Sequence, residues 1–170
     1  MNTAYTIDPA SNPKLEHNIQ AFLKVLNSGE GKPLEQVGDF ATHERFVRDL
    51  VSDSEFTSVF VSYTRSPEAQ YPTAVNEAYA AKKWVAAHGD EINVDGKRLA
   101  VIGNSAGGNI ATVTALRCKL EGGPALKAQV LFCPGTDANL ERASDNEYAD
   151  GYMLTKKHGE LVLGQSRPKS

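Results

Sequence analysis

Gly103-Asn104-Ser105-Ala106-Gly107 sets a serine between two glycines in the pattern G-x-S-x-G. A serine hydroxyl is a weak nucleophile. It becomes useful when a sharp strand-to-helix turn holds it clear of the backbone and a nearby base takes its proton. Gly103 and Gly107 suit such a turn, because without Cβ atoms the incoming strand and outgoing helix can pass closely. The N–H of Ala106 would then face the oxygen of an acyl group under attack, with the helix N-terminus adding a favourable dipole. The chemistry is acyl transfer, with Ser105 as nucleophile and Ala106 as an oxyanion-hole donor. The bare pentapeptide is a weak signal, and a glycine-rich turn whose serine merely caps a helix is the plain alternative. A phosphate cradle fits less well, since the glycine spacing matches neither the dinucleotide fingerprint nor the P-loop.

The elements around the motif give it the context it needs. Residues 99–102 read as a short apolar strand ending at Gly103, and residues 106–120 as a helix with Ile110, Val113, Ala115, Leu116 and Leu120 facing inward. Upstream, residues 58–63 read as a buried strand. A helix capped by Thr73 follows it, with Ala74, Ala78, Ala81 and Val85 as its apolar stripe. Downstream, residues 129–133 form a third strand. A helix over about 42–51 should bury Phe46, Val47, Leu50 and Val51, and another opens at Pro13 with the stripe Leu15, Ile19, Phe22 and Leu26. Alternating strands and helices at these spacings imply βαβ units: an α/β fold of about three parallel strands with flanking helices.

Composition narrows the setting. The 170 residues carry 18 Lys plus Arg and 21 Asp plus Glu, a formal charge of −3, so no basic surface calls for nucleic acid. Hydrophobic content of 41% is that of a globular domain. No apolar run reaches the roughly 18–20 residues of a membrane span, and residues 1–12 have no signal-peptide pattern, so a cytoplasmic location is expected. Cys118 and Cys133 make neither a disulfide framework nor a zinc site, and both read as small core residues. No metal or cofactor is expected.

Gly103-Asn104-Ser105-Ala106-Gly107-Gly108-Asn109 resembles the G-D-S-A-G-G-N signature of hormone-sensitive-lipase-like α/β-hydrolases, with Asn104 in place of the aspartate. Val61-Ser62-Tyr63-Thr64-Arg65-Ser66-Pro67-Glu68 resembles the family's V-x-Y-R-x-A-P-E segment, and Tyr71-Pro72-Thr73-Ala74 followed by Trp84 its F-P-A-A…W. Gly38-Asp39-Phe40-Ala41-Thr42-His43-Glu44-Arg45 resembles the stretch after the family's oxyanion loop, which gives His43 a structural role. The resemblance implies a carboxylesterase acting on a small-molecule acyl ester of short or medium chain. It divides the chain into a cap-like helical segment (1–36), a partial α/β-hydrolase core (37–137) and an irregular tail (138–170).

The same resemblance exposes what is missing. The mechanism needs a histidine to take the Ser105 proton, a carboxylate to orient that histidine, and further oxyanion donors. The family's acid motif, D-x-x-R-D, is absent. Only His158 follows Ser105, with Asp137, Asp145 and Asp150 between them. These read as a solvated histidine, a turn aspartate and two loop carboxylates; His17 and His88 read as exposed helix positions. In place of the family's H-G-G-G the chain has Gly31-Lys32-Pro33-Leu34-Glu35-Gln36-Val37. The expectation from this pattern is an internal deletion and a premature end, with a frame shift as one way to reach it. The expectation is therefore a weak or inactive esterase. A non-catalytic ligand- or partner-binding module is the alternative, and an esterase served by His158 ranks last. Losing the strand that carries H-G-G-G would leave open sheet edges, and with them self-association or aggregation.

Overall fold

The computed structural model describes the backbone of residues 4–5, 40–150 and 155–166. Its elements are β1 (Ala4–Tyr5), α1 (Phe40–Ser54), β2 (Ser58–Val59), α2 (Thr73–His88), β3 (Leu99–Asn104), α3 (Ala106–Leu120), β4 (Leu126–Phe132), α4 (Ala143–Glu147) and α5 (Lys156–Ser166). The order β2-α2-β3-α3-β4 is the expected alternation. The helix expected from Pro13 and the segment replacing H-G-G-G lie outside the described residues.

The strands form two separate parallel pairs, β1 with β2 and β3 with β4, and among the described residues no strand joins β2 to β3. This accounts for the first difference from the sequence reading. A strand over residues 58–63 is expected, yet only Ser58–Val59 make a ladder. A ladder needs a partner, and the two-residue β1 offers little. The side chains are buried all the same. Phe60 and Val61 pack with Val47 and Val51 of α1 and with Ala81, Trp84 and Val85 of α2. Tyr63 joins Val75, Ala78 and Ile110 in a second cluster between α2 and α3.

Four further expectations need correction. Thr73 does not cap α2; it is the first helical residue, and its N–H donates to Gln70 O at 3.0 Å. The buried face of α3 is Gly107, Gly108, Ile110, Ala111, Thr114 and Cys118, while Leu116 and Leu120 are exposed. Close glycine contact with β3 turns that face to the sheet and leaves the predicted stripe partly outside. His88 is half-buried, with its ring stacked on Trp84 at 5.0 Å between centroids and Nδ1 3.0 Å from Trp84 O. The tail after 137 is not irregular throughout, because α4 and α5 form there and Lys156 Nζ bonds Glu141 Oε1 at 3.0 Å.

Candidate active site

β3 delivers the chain to Ser105 and α3 carries it away. Ser105 sits between them at φ 53°, ψ −119°, a conformation that L-residues rarely adopt. The turn survives because its surroundings hold it from several sides. Ser105 N–H donates to Phe132 O at 2.9 Å, fastening the turn to β4. Ser105 O accepts from Asn109 N–H at 3.1 Å, inside α3, and from Gly135 N–H at 3.2 Å.

The glycines have measurable reasons. A Cβ on Gly103 would lie 2.1 Å from Gly107 O, so only glycine lets β3 and α3 meet this closely. A Cβ on Gly108 would lie 2.9 Å from Pro134 Cβ, where the chain leaving β4 crosses α3. That crossing is tied down by Asn109, whose Nδ2 donates to Gly135 O at 2.7 Å. The motif G-G-N contains Gly108 and Asn109, but their task, clamping residues 134–135 across the serine turn, is visible only in three dimensions. Cys133 shares in this geometry. It takes φ 43° at the end of β4 and is exposed, not the core residue expected.

Ser105 is half-buried. Ala106 is the first residue of α3, where its N–H lies outside the intrahelical ladder and is free to serve a ligand. Gly103, Ser105, Ala106 and Gly107 thus lie on one sharp turn from β3 into α3, the strand–turn–helix setting in which a G-x-S-x-G serine is held.

The other candidates are not brought to it. Among the described residues, no hydrogen bond or ion pair joins Ser105 to His158, Asp137, Asp145 or Asp150. His158 belongs to the start of α5. Its Nδ1 accepts from Thr155 N–H at 3.3 Å, while its own N–H donates to Thr155 Oγ1 at 3.3 Å, a reciprocal cap. Asp137 accepts from Asn139 N–H at 3.0 Å and pairs with Arg142; the backbone bond first, then the guanidinium, hold its carboxyl below the usual range. Asp145 accepts from Arg142 N–H at 3.0 Å and opens α4. Asp150 is exposed. His43 is fully buried on α1, away from solvent. Among the described residues, no group of three or more His, Cys, Asp or Glu is placed to hold a metal ion, and no helix is long and apolar enough to cross a membrane.

Residues 36–169 match the profile of a family described as having the alpha/beta hydrolase fold, a match that continues past residue 137 into the tail. The chain is similar to esterase LipI of Mycobacterium tuberculosis, 40% identical over 123 residues, covering 71% of this chain and 38% of LipI. It is also similar to an ethyl acetate hydrolase of Pseudomonas putida, 33% identical over 119 residues, covering 69% of this chain and 37% of that protein. Among solved structures, a thermostable esterase from Pseudomonas putida superposes with a TM-score of 0.74 at 53% identity, over 76% of this chain and 41% of that one. A hyperthermophilic esterase from Pyrobaculum calidifontis gives a TM-score of 0.72 at 35% identity, over 78% and 44%. The chain spans under two-fifths of the length of these curated relatives. With elbow, fold and relatives in agreement, the chain belongs to the α/β-hydrolase fold family, in its hormone-sensitive-lipase-like carboxylesterase branch.

Proposed function

We propose that the chain is the nucleophile-bearing part of a carboxylesterase, in which Ser105 attacks short- or medium-chain acyl esters and Ala106 N–H stabilises the developing oxyanion. The observation that carries this reading is the backbone of Ser105: φ 53°, ψ −119° is strained, and a serine that merely capped a helix would need no such strain. The named esterase relatives support the substrate class. Turnover by this chain alone is weak or nil. Among the described residues, His158, Asp137 and Asp145 are engaged in caps and turns and Asp150 is exposed, and none of them bonds to Ser105. One missing oxyanion donor alone lowers the rate by about 10²–10³.

An internal deletion remains part of the reading, supported by the lack of any H-G-G-G stretch in the sequence. So does the division into a cap-like segment (1–36), a hydrolase core (37–137) and a tail (138–170), with the chain cytoplasmic and self-associating through its open sheet edges. The capped state of His158 favours a second reading, a hydrolase-like module that binds ligand or partner without catalysis. A chromogenic acetate ester separates the two. Slow hydrolysis abolished by Ser105→Ala supports the esterase, and saturable ester binding without hydrolysis supports the module.

A further inference from the structure

The carbonyl of Ser105 is held by more than its own helix. Its oxygen accepts the first bond of α3, from Asn109 N–H at 3.1 Å, as the residue before a helix ordinarily does. It also accepts from Gly135 N–H at 3.2 Å, beyond the end of β4. A carbonyl oxygen has two lone pairs, and both are engaged here. Gly135 is itself held, because its own carbonyl accepts from Asn109 Nδ2 at 2.7 Å. Asn109 therefore reaches Ser105 O by two routes, directly through its backbone N–H and through its side chain by way of Gly135. Gly108 makes room for the second route: a Cβ there would meet Pro134 Cβ at 2.9 Å and Pro134 Cα at 3.0 Å.

What these bonds fix is a direction. The Ser105–Ala106 peptide is planar and trans, so its N–H points opposite to its C=O. Holding Ser105 O therefore aims Ala106 N–H. We propose that Asn109 is a positioning residue for the oxyanion donor: its side chain, acting through Gly135, keeps Ala106 N–H aimed at the point where negative charge develops. This rests on the esterase reading above and adds the residue that orients its donor. The backbone of Ser105 creates the need. At φ 53°, ψ −119° it is strained, and rotation of the 105–106 peptide plane turns the donor aside without moving any side chain. A single bond at a fraying helix end guards weakly against that rotation. The Gly135 bond comes from a different element and holds the plane independently. The residue type at 109 fits the task. Gly135 O can only accept, so a donor must face it; an Asn amide supplies one, whereas an Asp carboxylate of the same shape does not. A donor already aimed before the reaction is the kind that lowers the barrier.

The test reads the donor's direction apart from any turnover. The NMR residual dipolar coupling of Ala106 N–H reports where that bond points, averaged over its motions. In wild type it should match a direction opposite to Ser105 C=O. In Asn109→Ala it should shrink, while the couplings of residues 113–118 in the same helix keep their values. Fluorophosphonate labelling of Ser105 should slow by about 10- to 100-fold in that variant, the scale of a misplaced or lost oxyanion donor. Asn109→Asp adds a pH profile. Its carboxylate form should behave as Asn109→Ala, and both the coupling and the labelling rate relative to wild type should recover as pH falls through about 4, where the carboxyl regains an O–H donor. An Ala106 coupling that is unchanged in both variants, or a loss shared equally by residues 113–118, would overturn the proposal. So would slower labelling with the coupling unmoved. A wild type that takes up no probe while the coupling responds as expected would overturn the esterase reading and leave the orienting role of Asn109 standing. If Asn109→Ala does not fold, wild type alone decides. Its Gly135 amide should be better protected from hydrogen exchange than that of Thr136, and equal protection would overturn the clamp.

Discussion

The amide of Ser105 donates to the carbonyl of Phe132 at 2.9 Å, so the serine turn is fastened to β4 as well as to the strand and helix that flank it in sequence. The elbow is therefore a three-element assembly of β3, α3 and β4. These three elements hold the strained serine from three sides.

Strain at Ser105 should be measurable as stability. A non-glycine residue at φ 53°, ψ −119° costs of order 1–3 kcal/mol, and glycine adopts positive φ freely. Ser105→Gly is expected to be about 1 kcal/mol more stable than Ser105→Ala by urea denaturation, while both abolish the serine's chemistry. Equal stabilities would mean the turn is relaxed.

Gly103 is expected to be intolerant for the opposite reason. A Cβ there would meet Gly107 O at 2.1 Å, backbone against backbone, with no flexible side chain to give way. Gly103→Ala should lose about 1–3 kcal/mol, the usual range for overpacking. Gly135→Ala is the control, since a Cβ there meets nothing within 4 Å.

If His158 serves α5 and not Ser105, its substitution should move structure and not chemistry. Thr155→Ala removes the cap's hydroxyl and should weaken α5 by about 1 kcal/mol, read as faster hydrogen exchange in residues 156–166. His158→Ala should leave the rate of Ser105 acylation unchanged; a large loss of rate would return His158 to the role of base.

Tyr63 gives an alkaline signature. Burial first, opposed by Arg65, raises its phenol to about 12. A folded value above the unfolded value near 10 favours folding fully below pH 10, and that contribution is lost as pH rises toward 12. Two units correspond to about 2–3 kcal/mol. Wild type should lose that much more stability than Tyr63→Phe between pH 10 and 12, and identical pH profiles would show that the phenol is solvated when folded.

The turn at Ser105 was legible in the sequence because its signal is local: five consecutive residues, a strand before and a helix after, all set by short-range pattern. The clamp made by Asn109 and Gly135 was not legible, since those residues lie far apart in sequence and meet only where α3 crosses the end of β4. Nor was the true inward face of α3. Hydrophobic periodicity favoured Leu116 and Leu120, but contact with β3 is set by Gly103 and Gly107, which carry no apolar signal. The strand over 58–63 was half right. Its side chains are core, yet hydrogen bonding depends on a neighbour that the sequence of the strand cannot supply.

On the proposed reading, Ser105 is a nucleophile held ready at a turn that no base among the described residues serves. A fluorophosphonate probe with intact-mass readout tests it most directly, on wild type and Ser105→Ala at equal concentration. One slow, stoichiometric adduct is expected on wild type, mapped to Ser105 by peptide sequencing and absent from Ser105→Ala. A folded wild-type chain that takes up no probe, or an adduct that survives Ser105→Ala, would contradict it.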